Sequence, residues 1–429
     1  MEPSAVLLKA IQANDAPQVA EALERHPELK GKLDGPLPGY SFGGTALLAA
    51  VHQRNREMID TLLRAGADIN ARSDWWAGSF GVLDSASGLE DFLVERGARV
   101  DAHAAARLGM LDRLKELVAA DPSLVHARGG DGQTPLHFAS SVEIAEYLLA
   151  QGADIDARDI DHESTPAQWM ASERQEVARY LVKRGCATDL LMASALGDLD
   201  LVQRHLDADP ASIRMSVSDE WFPKRDPRSG GPIYIWVLGS NHTAHQVARK
   251  FRHEEIFRFL MERTPKTLKL ALACELGDEA LHREILESSP GLAGELADGD
   301  RQRLIAAAQG NNTNAVRLML EAGWPVETQG PGGVSALHWA AFHGNASMAR
   351  EILRHSPPLE LEDSEHHGTP MGWALYGSLH GWHRQTGDYA GVVNALLDAG
   401  ARPPKESDIA SEAVLAALRA RGGSRSRPF

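Results

Sequence analysis

The chain has 429 residues and a formal charge of −15 at pH 7, with a sequence pI near 5.6. That charge excludes tight nucleic-acid binding, which draws its affinity from a basic footprint. No apolar run approaches the roughly 20 residues needed to cross a bilayer, so no membrane partner is expected. The length exceeds what one ordinary core can serve, so several packed units are required.

Two cysteines, Cys186 and Cys274, lie far apart. They define neither a disulfide framework nor a thiolate metal site, and read as small packing residues. The start, Met1-Glu-Pro-Ser-Ala-Val-Leu-Leu-Lys, carries no secretory or transit signature. A soluble, cytoplasmic protein is the expectation.

Taken in order, residues 6–28 predict a first helix pair with Asn14-Asp15 at its turn. Pro36, Pro38 and Gly39 mark a loop, and a well-patterned pair follows over 45–71. Residues 72–100 keep the ending Phe92-Leu-Val-Glu-Arg-Gly-Ala but lack a Thr-Pro start. A pair turning at Gly109 follows, then units starting at Thr134 and Thr165, the first shortened because Ser140 runs almost directly into Val142. Residues 190–210 form another pair, turning at Gly197-Asp198. The Pro- and Gly-rich stretch 215–232 forbids a continuous helix. We expect it to be a long finger or loop separating an N-terminal arm (1–214) from a C-terminal arm (233–404). Ile233-Tyr-Ile-Trp-Val-Leu suits either a strand or a buried helix.

The second arm holds pairs over 243–263, 268–287 (turn at Gly277-Asp278) and 304–324 (turn at Asn311-Asn312). The clearest unit comes next. Ser335 can cap a helix over 336–342, Gly344-Asn345 makes the turn, and a second helix runs over 347–355 before Ser356-Pro-Pro breaks the chain. The following unit starts at Thr369-Pro-Met-Gly-Trp and carries an insertion over 377–387. A terminal helix over 408–419 and a basic tail over 421–429 close the sequence.

Ser335-Ala-Leu-His-Trp-Ala-Ala, Asp131-Gly-Gln-Thr-Pro-Leu-His-Phe-Ala and Thr45-Ala-Leu-Leu-Ala-Ala, each followed by a second helix, resemble ankyrin repeats. Gly152 and Gly185 lie 33 residues apart, close to the period of such arrays. The resemblance implies an all-α solenoid of roughly a dozen helix pairs with short hairpins. It also implies a protein-binding role through hairpin tips and inner helices lining a concave groove, since stacking leaves one face free of core duty.

Helical arithmetic picks out that face. Four residues after the capping Ser/Thr come Phe138, Trp169, Trp339 and Trp373, and seven or eight after it come Phe342, His343 and Tyr376. Positions four and seven apart share a helix side. Either these aromatics pack between repeats, or Trp339 and Trp373 flank a pocket. His137 and His338 occupy a position where the family uses histidine as a structural hydrogen-bonder. The pattern does not call for His343, His366, His367, His380 and His383. With Glu360, Glu362, Asp363, Glu365 and Asp388 around them, they suit acid–base work or a divalent metal, although the spacing matches no metal motif.

The expected function is a scaffold recognising a basic protein partner through an acidic, aromatic-lined concave face. Asp131, Asp159, Asp161, Glu163, Glu362, Asp363 and Glu365 supply the charge. The alternative is a small-molecule or catalytic pocket in the second arm, possible because fold does not fix function. In that pocket Trp339, His343, Trp373, Tyr376, His380 and His383 converge with Asp363, His366 and His367, and the insertion acts as a lid. Asp161-His-Glu-Ser-Thr-Pro-Ala-Gln-Trp and Glu365-His-His-Gly-Thr-Pro-Met-Gly-Trp share their His, Thr-Pro and Trp spacing. His162 and His366 are therefore equivalent contact points if both tips face one groove.

Overall fold

The computed structural model describes residues 3–84, 88–403 and 410–422. Among these residues the regular structure is helical, and the only bridges are the isolated pairs Ser216–Thr243 and Gln329–Ser335. The chain forms two compact units, Met1–Arg258 and Phe259–Phe429, both built from short helix pairs.

The pairs follow from local chemistry. Thr45 accepts from the Leu48 N–H at 3.2 Å and starts the helix Ala46–His52. Asn55 does the same for its partner Arg56–Arg64. Each hydroxyl or amide oxygen satisfies a donor that has no partner inside the helix. First helices are buried nearly all round: in Ala336–Phe342 the buried residues are Ala336, Leu337, His338, Ala340 and Ala341. Second helices are amphipathic, and Ala346–Leu353 buries Ala346, Met348, Ala349 and Ile352 at helical spacing. Removing one fully buried leucine such as Leu337 should cost about 2–5 kcal/mol. At the ends of two second helices Gly152 and Gly185 both adopt φ +89°, a conformation a Cβ would strain.

Repeats are also stitched through their turns. Asn55 Nδ2 donates to Asn14 Oδ1 at 2.7 Å, and Asn345 Nδ2 to Asn311 Oδ1 at 2.8 Å. The core of the second unit is continuous from Leu270 to Val414.

Several expectations change in detail. Residues 72–84 are non-helical, and among its described residues the unit keeps only the helix Glu90–Val94. In the unit at Thr134 the first helix is reduced to a single 3-10 turn, Pro135–Phe138, while the second, Val142–Ala150, is kept. Ile235–Gly239 forms a π-helical turn rather than a strand. Segment 215–232 does not project as a finger: it folds back onto the first unit. The insertion is only partly a loop, because the helix Pro370–His380 runs four residues into it. The terminal helix is Glu412–Gly422, and the basic tail beyond it lies outside the described residues. Cys186 and Cys274 are buried and free.

Candidate functional site

Two hairpin tips are built on one device. In the first, Asp159 accepts from the Trp169 indole Nε1 at 2.6 Å, from the His162 N–H and from the Ser164 N–H. In the second, Asp363 accepts from Trp373 Nε1 at 2.9 Å, His366 N–H at 2.7 Å and Gly368 N–H at 2.9 Å. The tryptophan follows the aspartate by ten residues both times. Glu163 and His367 occupy matching left-handed positions, at φ 49° and 52°. Each carboxylate gathers the tip's otherwise unpaired N–H groups and ties them to the next helix.

This geometry corrects the expectation of an acidic contact surface. Asp131, Asp159, Asp161 and Asp363 are all buried, and they act as internal acceptors. Burial pushes the Asp131 carboxyl up to about 6, with His162 opposing and the Asp161 and Asp159 charges adding to it. Burial also raises Asp159, against the Trp169 and His162 hydrogen bonds. At Asp363 burial acts upward too, but the Trp373 indole and the His366, Gly368 and Glu365 N–H groups bring it down to about 2. Glu362 and Glu365 remain exposed. Glu163 is partly covered, its carboxylate accepting from the Arg225 and Asp226 N–H groups.

The first tip is closed. Segment 215–232 lies on it: Gly230 N–H donates to Asp161 O at 3.0 Å, Ile233 N–H donates to Ser164 Oγ at 3.1 Å, and His162 Nδ1 meets Gly231 O at 2.9 Å. Tyr234, fully buried, anchors the segment through its hydroxyl, which donates to Asp189. A cleft of about 160 Å³ remains, lined by His162, Gln168, Trp221, Phe222 and Arg225 among others.

The second unit carries an aromatic cluster instead. Trp339 meets Trp373 edge-on at 5.4 Å and stacks on Trp382 at 6.0 Å, and Phe342 meets Trp382 edge-on at 5.2 Å. His343 lies 5.3 Å from His383 and 5.6 Å from Trp382, centroid to centroid. The insertion is seated by the Tyr389 hydroxyl, which donates to Phe342 O at 3.0 Å, and by Asp388 N–H, which donates to Gly344 O at 2.8 Å. A Cβ on Gly387 would stand 2.7 Å from the His343 carbonyl oxygen, so only glycine fits that approach.

The structure therefore brings together Trp339, Phe342, His343, Trp373 and His383. It does not bring the others to them. Tyr376 and His380 pair with each other at 4.8 Å, and Tyr376 is exposed. His366 and His367 stand out from the tip beside Glu365 and Glu362. Asp363 reaches the cluster only through the Trp373 indole. Trp169 and His162 form their own edge-on pair at 5.3 Å in the first unit.

Chemically, His343 is a poor acid–base candidate. Burial holds His343 below its usual value, and its ring already contacts Gln309 O at 2.9 Å. His338 accepts from the Ser335 N–H through Nδ1, so its Nε2 carries the proton toward the Leu361 and Gly368 carbonyls. His137 is placed the same way against Thr134 and Ser164. Sequence reasoning missed Trp382, the outermost ring of the cluster. The signal was present: an aromatic between two histidines in the one insertion that follows a Trp-bearing helix.

Comparison with known proteins gives a consistent result. The model of tandem ankyrin repeats matches residues 102–192, 270–363 and 304–406, and the single-repeat model matches 42–74. Ankyrin repeat and SAM domain-containing protein 6 of Mus musculus is 29% identical over 128 residues, 29% of this chain and 14% of that protein. Serine/threonine-protein kinase VIK of Arabidopsis thaliana is 35% identical over 75 residues, 17% of each chain. Palmitoyltransferase Hip14 of Drosophila melanogaster is 30% identical over 100 residues, 23% of this chain and 14% of that protein. The similarity thus spans less than a fifth of each of these relatives. No helix among the described residues is long and apolar enough to cross a membrane.

Proposed function

The chain belongs to the ankyrin-repeat family, and we propose that it binds a Lys/Arg-rich protein segment on the aromatic platform of its second unit. Ankyrin repeats serve in general as protein-interaction scaffolds. The observation that carries the reading is Trp382, 65% exposed while stacked on Trp339. A large ring held in place by other rings yet open to solvent loses little entropy when a partner covers it. Such rings are the usual anchors of protein interfaces.

Charge selects the partner. The platform continues through Trp373 and Asp363 to the tip that carries Glu362 and Glu365, and the chain as a whole bears −15. Cationic side chains gain over the tryptophan face and are steered by the negative field. An array of immobilised Lys/Arg-rich, neutral and acidic peptides tests this. The full chain should retain the basic class, with binding that falls as salt rises. Trp382→Ala should weaken it at least tenfold with an unchanged melting temperature. Preference for acidic peptides, or binding indifferent to Trp382→Ala, would sink the proposal.

A further inference from the structure

The first unit contains a second cluster that the binding platform does not use. We propose that Asp131, Asp161 and His162 hold a divalent transition-metal cation of the zinc class. One ligand atom from each of the three lies within 4.8 Å of the others. Zinc bonds of about 2.0–2.2 Å place tetrahedral ligands about 3.4 Å apart. His162 Nε2 and Asp161 Oδ2, at 3.6 Å, already stand near that separation.

The proton on His162 is fixed from outside. Its Nδ1 faces the Gly231 carbonyl oxygen at 2.9 Å, and a carbonyl can only accept, so Nδ1 is the donor. In the neutral ring, Nε2 then presents its lone pair toward Asp161, and among the described residues it makes no hydrogen bond. The side chain is nine-tenths buried, with 10% exposure, and that of Asp161 has 7%. A carbonyl-oriented imidazole aimed into a carboxylate pair is the outer-shell arrangement that metal ligands adopt.

The carboxylates are supported in the same way. Asp161 Oδ1 accepts from the Gly230 N–H at 3.1 Å, and Asp131 Oδ1 accepts from the Trp75 indole at 3.1 Å. Each keeps its second oxygen for a ligand. The Ile160 and Asp161 N–H groups both donate to Asp131 O, at 2.8 and 3.1 Å, and hold the Asp131 turn in register with the Asp159–His162 tip. Asp159 adds a third buried carboxylate. Among the described residues no Lys or Arg forms an ion pair with any of the three. Buried carboxylates without a cation are costly, and one nitrogen with two oxygens suits zinc.

Binding there would clamp segment 215–232, since Gly230 and Gly231 are the outer partners of two ligands. A Cβ on Gly230 would stand 3.2 Å from His162 Cε1, so the segment lies directly on the site. The test titrates the metal-stripped full chain with Zn²⁺ by calorimetry, with elemental analysis of the dialysed product. One equivalent should bind, and amide exchange over 221–232 should slow. His162→Gln and Asp161→Asn, both close in shape to the originals, should each weaken the site at least tenfold. Joint replacement of His366 and His367 by Ala, or His383→Ala, should leave it intact. Absence of a saturable site, or a site lost only in the exposed-histidine variants, overturns the proposal.

Discussion

The two Asp–Trp tips share their local construction and differ in what covers them. At the first, segment 215–232 supplies hydrogen bonds to Asp161, His162 and Glu163, and the adjoining Ile233 supplies one to Ser164. The His162 side chain keeps 10% exposure there. At the second the equivalent His366 side chain is 71% exposed, and the inserted residues instead settle on the helix Ala336–Phe342, around Trp339 and Phe342. The clamp is thus a folding device in both units. Only the covering segment decides whether the adjoining face serves the interior or is left for a partner.

The largest expected effect comes from breaking the clamp itself. Asp363→Ala leaves the His366 and Gly368 N–H groups and the Trp373 indole without their acceptor. Hydrogen bonds to a charged group are worth about 1.5–3 kcal/mol each, so the loss should exceed about 3 kcal/mol by denaturant unfolding. Asp159→Ala should cost a similar amount if the two tips are equivalent. Acid reproduces the first change gradually. The folded Asp363 carboxyl lies near 2, below an unfolded value of about 3.9. Its contribution is therefore complete above about pH 4 and is lost as pH falls toward 2. Chemical denaturation of the full chain across that interval should show the decline.

A middle-sized effect separates the indole from the rest of the clamp. Trp373→Phe and Trp169→Phe each remove one charge-assisted hydrogen bond and should cost about 1.5–3 kcal/mol. Smaller still, Glu163→Ala releases the Arg225 and Asp226 N–H groups at a partly exposed site and should cost about 1 kcal/mol. It should also accelerate amide exchange over 221–232. No counterpart is expected at the second tip, where joint replacement of His366 and His367 by Ala should change stability by less than about 0.5 kcal/mol.

Much of this architecture was legible in the sequence, because it is local. Capping residues, Gly-Asn turns and glycines 33 residues apart specify helix pairs without tertiary information. Trp339 and Trp373 meet because equivalent positions of consecutive repeats become neighbours, and His383 reaches His343 because the insertion leaves and rejoins beside Phe342. What stayed hidden was long-range. Nothing around Asp159 or Asp363 shows that a tryptophan ten residues later will turn the carboxylate inward, so both read as surface charge. His162 and His366 look alike until a segment some 69 residues further on covers one of them. Trp382 lay in plain view but carried no periodicity to mark it.

The contrast between the tips is tested most directly by mapping amide exchange in the full chain with and without a bound Lys/Arg-rich peptide. The account predicts protection concentrated over 362–383 and around Trp339, with 159–169 and 221–232 unchanged. Protection of the first tip and its covering segment, with the Trp382 region untouched, would contradict it.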